Sequence, residues 1–391
     1  MTAPIDDPEL RLLCALITAA PDGPTLRAAA RGADWARLQS VSARHRVDGL
    51  VHATLTRWPG LAPDAVAQSF AARAQRQTMR ALHQVKLLTE LLPLFDAAGI
   101  EVMVLKGPVL ARRFYDSLGQ RQTFDLDLLI RPEDVDAAHA QMQGARFELP
   151  DEDDLPENGR DMRLHLKADF QYTRVADGAV VDLQVRPSGN ARLLSWRADQ
   201  MFAVSDQDQS FPVPVTTLRD VEHLFYVIVH GAKYGWFRLK WLMDMDHMLR
   251  RCALQDLDRL PELARLSGTT RMLATSLRLR RMLMGPGPGD DLMHEREVDP
   301  VLLRLMLRCI IDDPAPVVAR PGDLPGVLMR FRMGMRLRPG LGYKLQAFEQ
   351  RVVQRSDIAA LGLSLRWRWV YWMMAPFRRM RGLFRPRDRS V

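Results

Sequence analysis

Two carboxylates two residues apart, Asp125 and Asp127 in Phe124-Asp125-Leu126-Asp127-Leu128-Leu129-Ile130, are the first residues whose type and spacing suggest chemistry. In a strand, period two puts both on one face and Phe124, Leu126 and Leu128 on the other. Their Cα atoms then lie about 7 Å apart, so both side chains reach one cation, or two metals about 3.5–4 Å apart. Like charges in an apolar strand repel and are costly to desolvate unless neutralised, and magnesium is the natural neutraliser. The plain alternative is a solvated edge face. A third acid, Asp182, sits amid Ala179-Val180-Val181-Asp182-Leu183-Gln184-Val185 and also needs a partner. If its strand lies beside the first, a spacing of about 4.8 Å brings three hard oxygen donors to one point, suited to magnesium, waters and a triphosphate.

Positioning these acids requires a small sheet. Residues 101–105 are apolar and β-branched enough for a buried strand, which Gly107-Pro108 breaks while supplying a favoured first residue for a helix over 108–116. The start of that helix favours phosphate, and Lys106 adds a mobile charge. Arg131-Pro132-Glu133-Asp134 opens another helix that Gly144 closes, so Asp134 and Asp136 read as helix-start charges. A short strand near 145–149, a solvated acidic loop at 151–154, and strands at 168–174 and 179–185 joined by Ala176-Asp177-Gly178 complete the unit.

The chain divides accordingly into a helical region (1–98), an α/β core (99–215) and a C-terminal helical domain (216–391). Helical segments are expected near 8–19, 33–57 and 62–97, the last with Leu82, Val85, Leu88, Leu92 and Phe95 as its stripe. His45, His52 and His83 read as ordinary helix residues. Thr217 is a candidate cap for a helix carrying Leu218, Val221, Phe225 and Ile228, and further helices are expected over 255–283, 299–311 and beyond 340. Residues 234–247 are dense in aromatic and charged groups, fit either for helix packing or for contacts to bases and phosphates. The tail, from Leu365-Arg366-Trp367-Arg368-Trp369 to Arg385, fits a membrane-surface helix, a nucleic-acid contact or a docked terminal helix.

With 391 residues and 47% hydrophobic content, the chain can bury a substantial core. No run of eighteen apolar residues occurs and the N-terminus carries Asp6, Asp7 and Glu9, so a cytoplasmic location is expected. Cys14, Cys252 and Cys309 lack metal or disulfide spacing and are expected to be core residues. The net charge of +8 comes mainly from arginines concentrated toward the C-terminus. A serine-hydrolase Gly-x-Ser-x-Gly elbow and a Walker-type Gly-Lys-Ser/Thr are absent. His223, His230, Asp244 and His247 lack the adjacent His-Asp pair of a helical phosphohydrolase.

The ordered set Leu105-Lys106-Gly107, Tyr115, Arg121, Asp125-Leu126-Asp127-Leu128-Leu129 and Val181-Asp182-Leu183 resembles the polymerase-β-like nucleotidyltransferases, in particular the branch of uncharacterised nucleotidyltransferases. His230, Trp236, Leu239, Lys240-Trp241-Leu242 and Asp244 extend the match over roughly residues 80–250. The resemblance implies an α+β fold whose small mixed sheet is flanked by helical domains. Asp125 and Asp127 would hold two magnesium ions, with Asp182 as third ligand. It also implies nucleotide-binding roles for Lys106, Gly107, Arg121, His230, Lys240 and Asp244. The implied reaction moves a nucleoside monophosphate from an NTP, ATP among them, to an acceptor and releases pyrophosphate. That acceptor is a small molecule, peptide, protein or RNA. Two departures stand out: Pro108 replaces the second small residue of the superfamily's turn, and Gln184 stands where related sequences commonly carry His. They leave open a nucleotide-binding scaffold with little or no turnover, and the basic aromatic tail leaves open nucleotide addition to an RNA end.

Overall fold

A computed structural model describes residues 6–18, 23–149, 162, 164–312, 324–353, 357–358 and 361–374. The acidic loop at 151–154 and the arginines beyond Met374 lie outside the described residues.

Five helices come first: α1 (Pro8–Ile17), α2 (Gly23–Ala30), α3 (Trp35–His45), α4 (Asp48–Arg57) and the 34-residue α5 (Asp64–Ala97). Asp7 and Asp34 cap α1 and α3, their carboxylates accepting the backbone N–H of Leu10 and Arg37 at 3.0 Å. The inward stripe of α5 is Leu87, Leu88, Leu91 and Phe95; Leu82 faces solvent, so the face is rotated from the expected one.

The sheet runs β1 (Met103–Val104), β2 (Leu126–Leu129), β4 (Ala179–Gln184), β3 (Asp169–Arg174) in spatial order. β1 pairs antiparallel with β2, β2 parallel with β4, and β4 antiparallel with β3, making a mixed sheet in an α+β chain. Between them lie α6 (Pro108–Phe114) and α7 (Val135–Gly144). Both expected strands around the turn are shorter than their apolar runs, which leaves Asp125 just ahead of β2. The segment near 145–149 makes only one bridge, Glu148 to Thr173.

Beyond β4 come α8 (Ala198–Phe202) and a hairpin that apolar periodicity did not suggest, β5 (Ser205–Asp208) with β6 (Val215–Leu218). Thr217 is therefore a strand residue and not a helix cap. Its hydroxyl donates to the Val104 carbonyl at 2.8 Å, tying β6 to β1, and the next helix, α9 (Asp220–Lys233), begins after Arg219. Among the described residues α10 (Leu239–Arg251), α11 (Leu254–Leu257), α12 (Leu260–Ser267), α13 (Thr270–Met284), α14 (Pro300–Ile311), α15 (Leu324–Arg336) and α16 (Leu341–Val352) follow.

The two sheet faces meet different cores. Val104, Leu126, Leu128, Val181 and Leu183 pack with Leu88, Leu91 and Phe95 of α5 and Ala138 and Met142 of α7. Met103 and Leu129 belong instead to a larger cluster that joins N-terminal helices (Leu13, Val51) to C-terminal ones (Phe225, Leu242, Leu277, Met306). Cys14, Cys252 and Cys309 are free and buried. Among the described residues no helix is long and apolar enough to cross a membrane.

Candidate active site

Parallel pairing of β2 with β4 sets Asp127 directly opposite Asp182, and β3 continues the row with Gln171 opposite Asp182. Opposed residues of neighbouring strands share a sheet face, so the two acids lie side by side, away from the α5–α7 core. Each has an amide partner: Gln184 donates to Asp127 Oδ1 at 2.8 Å, and Gln171 donates to Asp182 Oδ1 at 3.0 Å. Asp125 is half-buried just before β2, and its charge acts on Lys106, Asp127 and Asp182. Burial, then Asp127 and Asp125, push the Asp182 carboxyl up to about 7.

The turn after β1 supplies the counter-charge. Gly107 has φ +75°, a conformation that side chains resist, and a Cβ there would lie 3.4 Å from the Asp125 carbonyl oxygen. Lys106 reaches across to Asp127 Oδ1 at 2.8 Å. Burial alone would lower its pKa, but Asp127, Tyr226 and Asp125 outweigh burial and keep the ammonium charged. Asp127 is itself raised, by burial first, with Lys106 opposing.

A second layer holds the turn. The buried Arg121 forms a two-pronged pair with Asp244 of α10 (2.6 and 2.9 Å) and donates to the Gly107 carbonyl at 3.1 Å. Tyr115 donates to the same Asp244 at 2.7 Å. Lys240, one turn earlier on α10, donates to the Gln122 carbonyl at 3.0 Å, and burial followed by Arg121 lowers it to about 7. His230 of α9 sits among Tyr226, Tyr234 and Trp241. Burial first, then Lys106 and other nearby cations, hold its imidazole neutral. The nine residues assigned to the site from the sequence thus fall in one region. Trp236 is fully buried, and Tyr234, Phe237 and Trp241 form an aromatic helix-packing layer, the plainer expectation for that segment.

A family model described as uncharacterised nucleotidyltransferase matches residues 31–285. The chain belongs to this family. No curated protein and no solved structure matches it. As a nucleotidyltransferase it is a transferase that acts on a nucleotide.

Arg46 lies beside this candidate site, and sequence reasoning passed it over. It follows α3 in a left-handed conformation, φ +60°, ψ +45°, unusual for a side chain of its size. Its guanidinium lies 4.4 Å from the centre of the Phe124 ring, and Arg80 of α5 lies 5.2 Å from the same ring. Phe124, expected on the buried face, is 41% exposed beneath them. Burial lowers the Arg46 pKa, with the Asp125 charge opposing. The helices that carry it pack hard against the loop before β2: a Cβ on Gly49 of α4 would overlap the Gly119 carbonyl. Neither pattern nor spacing marks Arg46, because its closeness to Asp125 arises from packing between segments eighty residues apart.

The donor chemistry suits a divalent cation. The Asp125 charge raises the proton affinity of Asp127, both raise that of Asp182, and a hard cation would relieve that excess charge. Among the described residues no three His, Cys, Asp or Glu side chains stand in a metal-holding group. One Asp127 oxygen is taken by Lys106 and Gln184, and one Asp182 oxygen by Gln171.

Proposed function

We propose that this enzyme transfers a nucleoside monophosphate from an NTP to an acceptor hydroxyl and releases pyrophosphate, with Asp125, Asp127 and Asp182 as its catalytic acids. The observation that carries the reading is the register that sets Asp127 against Asp182, with Asp125 two residues upstream. The acceptor oxygen forms a new bond to the α-phosphorus as the bond to the pyrophosphate oxygen breaks in line. Asp182 orients the acceptor hydroxyl and takes up its proton. Asp125 and Asp127, with Asp182, would hold magnesium, two ions in this reading. When bound, such ions neutralise charge on the reacting phosphate. Lys106 and the Gly107 turn bind the outgoing phosphates, joined by Lys240 and Arg46. Arg121 and Asp244 act by fixing that turn, and His230 stands beside Lys106 and Lys240 as a neutral ring. The acceptor stays at the level of class: small molecule, peptide, protein or RNA.

A second reading draws on the Lys106–Asp127 pair, which occupies the oxygen a cation would need, and on Pro108: a protein that binds NTP without turning it over. Incubation of the full chain with labelled ATP, CTP, GTP and UTP in cell extract separates the two. Transfer of label together with pyrophosphate release is expected, lost in Asp125→Asn and Asp127→Asn variants whose melting curves stay cooperative. Unchanged turnover in those variants overturns the proposal, and NTP binding without pyrophosphate release under any divalent metal favours the scaffold.

A further inference from the structure

The charge of the chain is strongly polarised. Residues 330–391 hold fifteen Lys and Arg against three Asp and Glu, a net +12, so with +8 for the whole chain the preceding 329 residues are net −4. All of this basic segment lies beyond the family match, which ends at 285. Seven of the sixteen large apolar side chains exposed among the described residues lie in it. Leu341, Leu345 and Phe348, at helical spacing, form the outward face of α16. A second helical stretch, 368–374, is anchored by the buried Tyr371, whose hydroxyl accepts the Leu363 N–H at 3.0 Å and lies 3.1 Å from the Leu363 carbonyl. Trp372 meets Phe348 edge-on, ring centres 6.3 Å apart, and so joins that stretch to α16. Trp369 and Met373, one turn apart, point outward with Trp367 and Met374. The seven outward side chains are 41–73% exposed, and Lys344, Arg366 and Arg368 stand exposed among them.

We infer that this face docks on a bilayer surface containing anionic lipid. Indoles favour the level of the lipid headgroups, methionine and leucine favour the acyl boundary beneath, and arginine and lysine pair with lipid phosphate and carboxylate. Single-stranded nucleic acid matches the arginines and indoles but leaves Leu341, Leu345, Met373 and Met374 unused, since they offer neither charge to phosphate nor a ring face to a base. A bilayer uses all of them. The surface is independent of the proposed nucleotidyl transfer and stands or falls separately.

The test is co-sedimentation of the full chain with phosphatidylcholine vesicles, with and without phosphatidylserine, beside binding to a single-stranded RNA. Binding to the phosphatidylserine vesicles about tenfold or more tighter than to phosphatidylcholine alone is expected, falling as salt rises, with tryptophan emission quenched by brominated lipid. A Trp367→Ala/Trp369→Ala variant, altered only at exposed positions, should melt as the parent does, bind about tenfold more weakly and lose most of the quenching. No preference for anionic vesicles, equal binding by the double variant, or tighter binding to RNA than to vesicles overturns the inference.

Discussion

At Asp127 one carboxylate oxygen receives both the Lys106 ammonium and the Gln184 amide, so the residue is held in one orientation before any nucleotide arrives. Gln184 thus acts as a hydrogen-bond donor to Asp127. Arg46 is the residue whose role is most open to measurement. Its left-handed backbone is strained, and its charge beside Asp125 and Lys240 has no hydrogen-bonded partner among the described residues. Arg46→Ala should weaken ATP binding about tenfold, roughly 1.5 kcal/mol for a lost charge-assisted contact, and change AMP binding little. Equal losses for both nucleotides, or none, by calorimetry would contradict a triphosphate role. The three acids were legible in the sequence because a strand's alternation exposes them, whereas Arg46 is found only when separate helices are packed together.

The elements around the site owe their placement to a few buried polar ties. His223 of α9 donates from Nε2 to the Leu105 carbonyl at 2.6 Å, fixing the end of the segment that carries Lys106. Burial pushes its pKa down to about 3, with Arg113 and Arg121 adding to the shift. A histidine depressed from its ordinary 6.5 favours the folded state above pH 6.5 and withdraws that stability as pH falls toward 3, by up to about 4 kcal/mol. His223→Gln keeps a donor and removes the titration. Its melting temperature should therefore fall less steeply between pH 6.5 and 4 than that of the parent, and an unchanged slope by calorimetry would refute this tie. The β3–β4 hairpin and α6 could be read from turn and strand chemistry. The β5–β6 hairpin could not: Ser205–Asp208 is polar throughout, and Thr217 looks like a cap until its hydroxyl is seen on the Val104 carbonyl.

Across the whole molecule, the helices before and after the sheet share one apolar cluster, from Leu13 and Val51 to Leu277 and Met306, and this cluster lies on the sheet face that carries the acids. Arg46 and Arg80 from one side, and Lys240, Asp244 and His230 from the other, are therefore brought to the same acids by a common core. The sequence announces the small sheet and the long α5, but sharing of a core by segments more than two hundred residues apart has no local signature. The proposed reaction requires that the three acids and the Lys106-Gly107 turn form one triphosphate and metal site. A crystal structure with manganese and a non-hydrolysable ATP analogue, read by anomalous scattering, tests it most directly. Manganese is expected against Asp125, Asp127 and Asp182 with the phosphate tail on the Lys106-Gly107 turn; manganese absent from the three acids, or a triphosphate seated elsewhere, would overturn the proposed site.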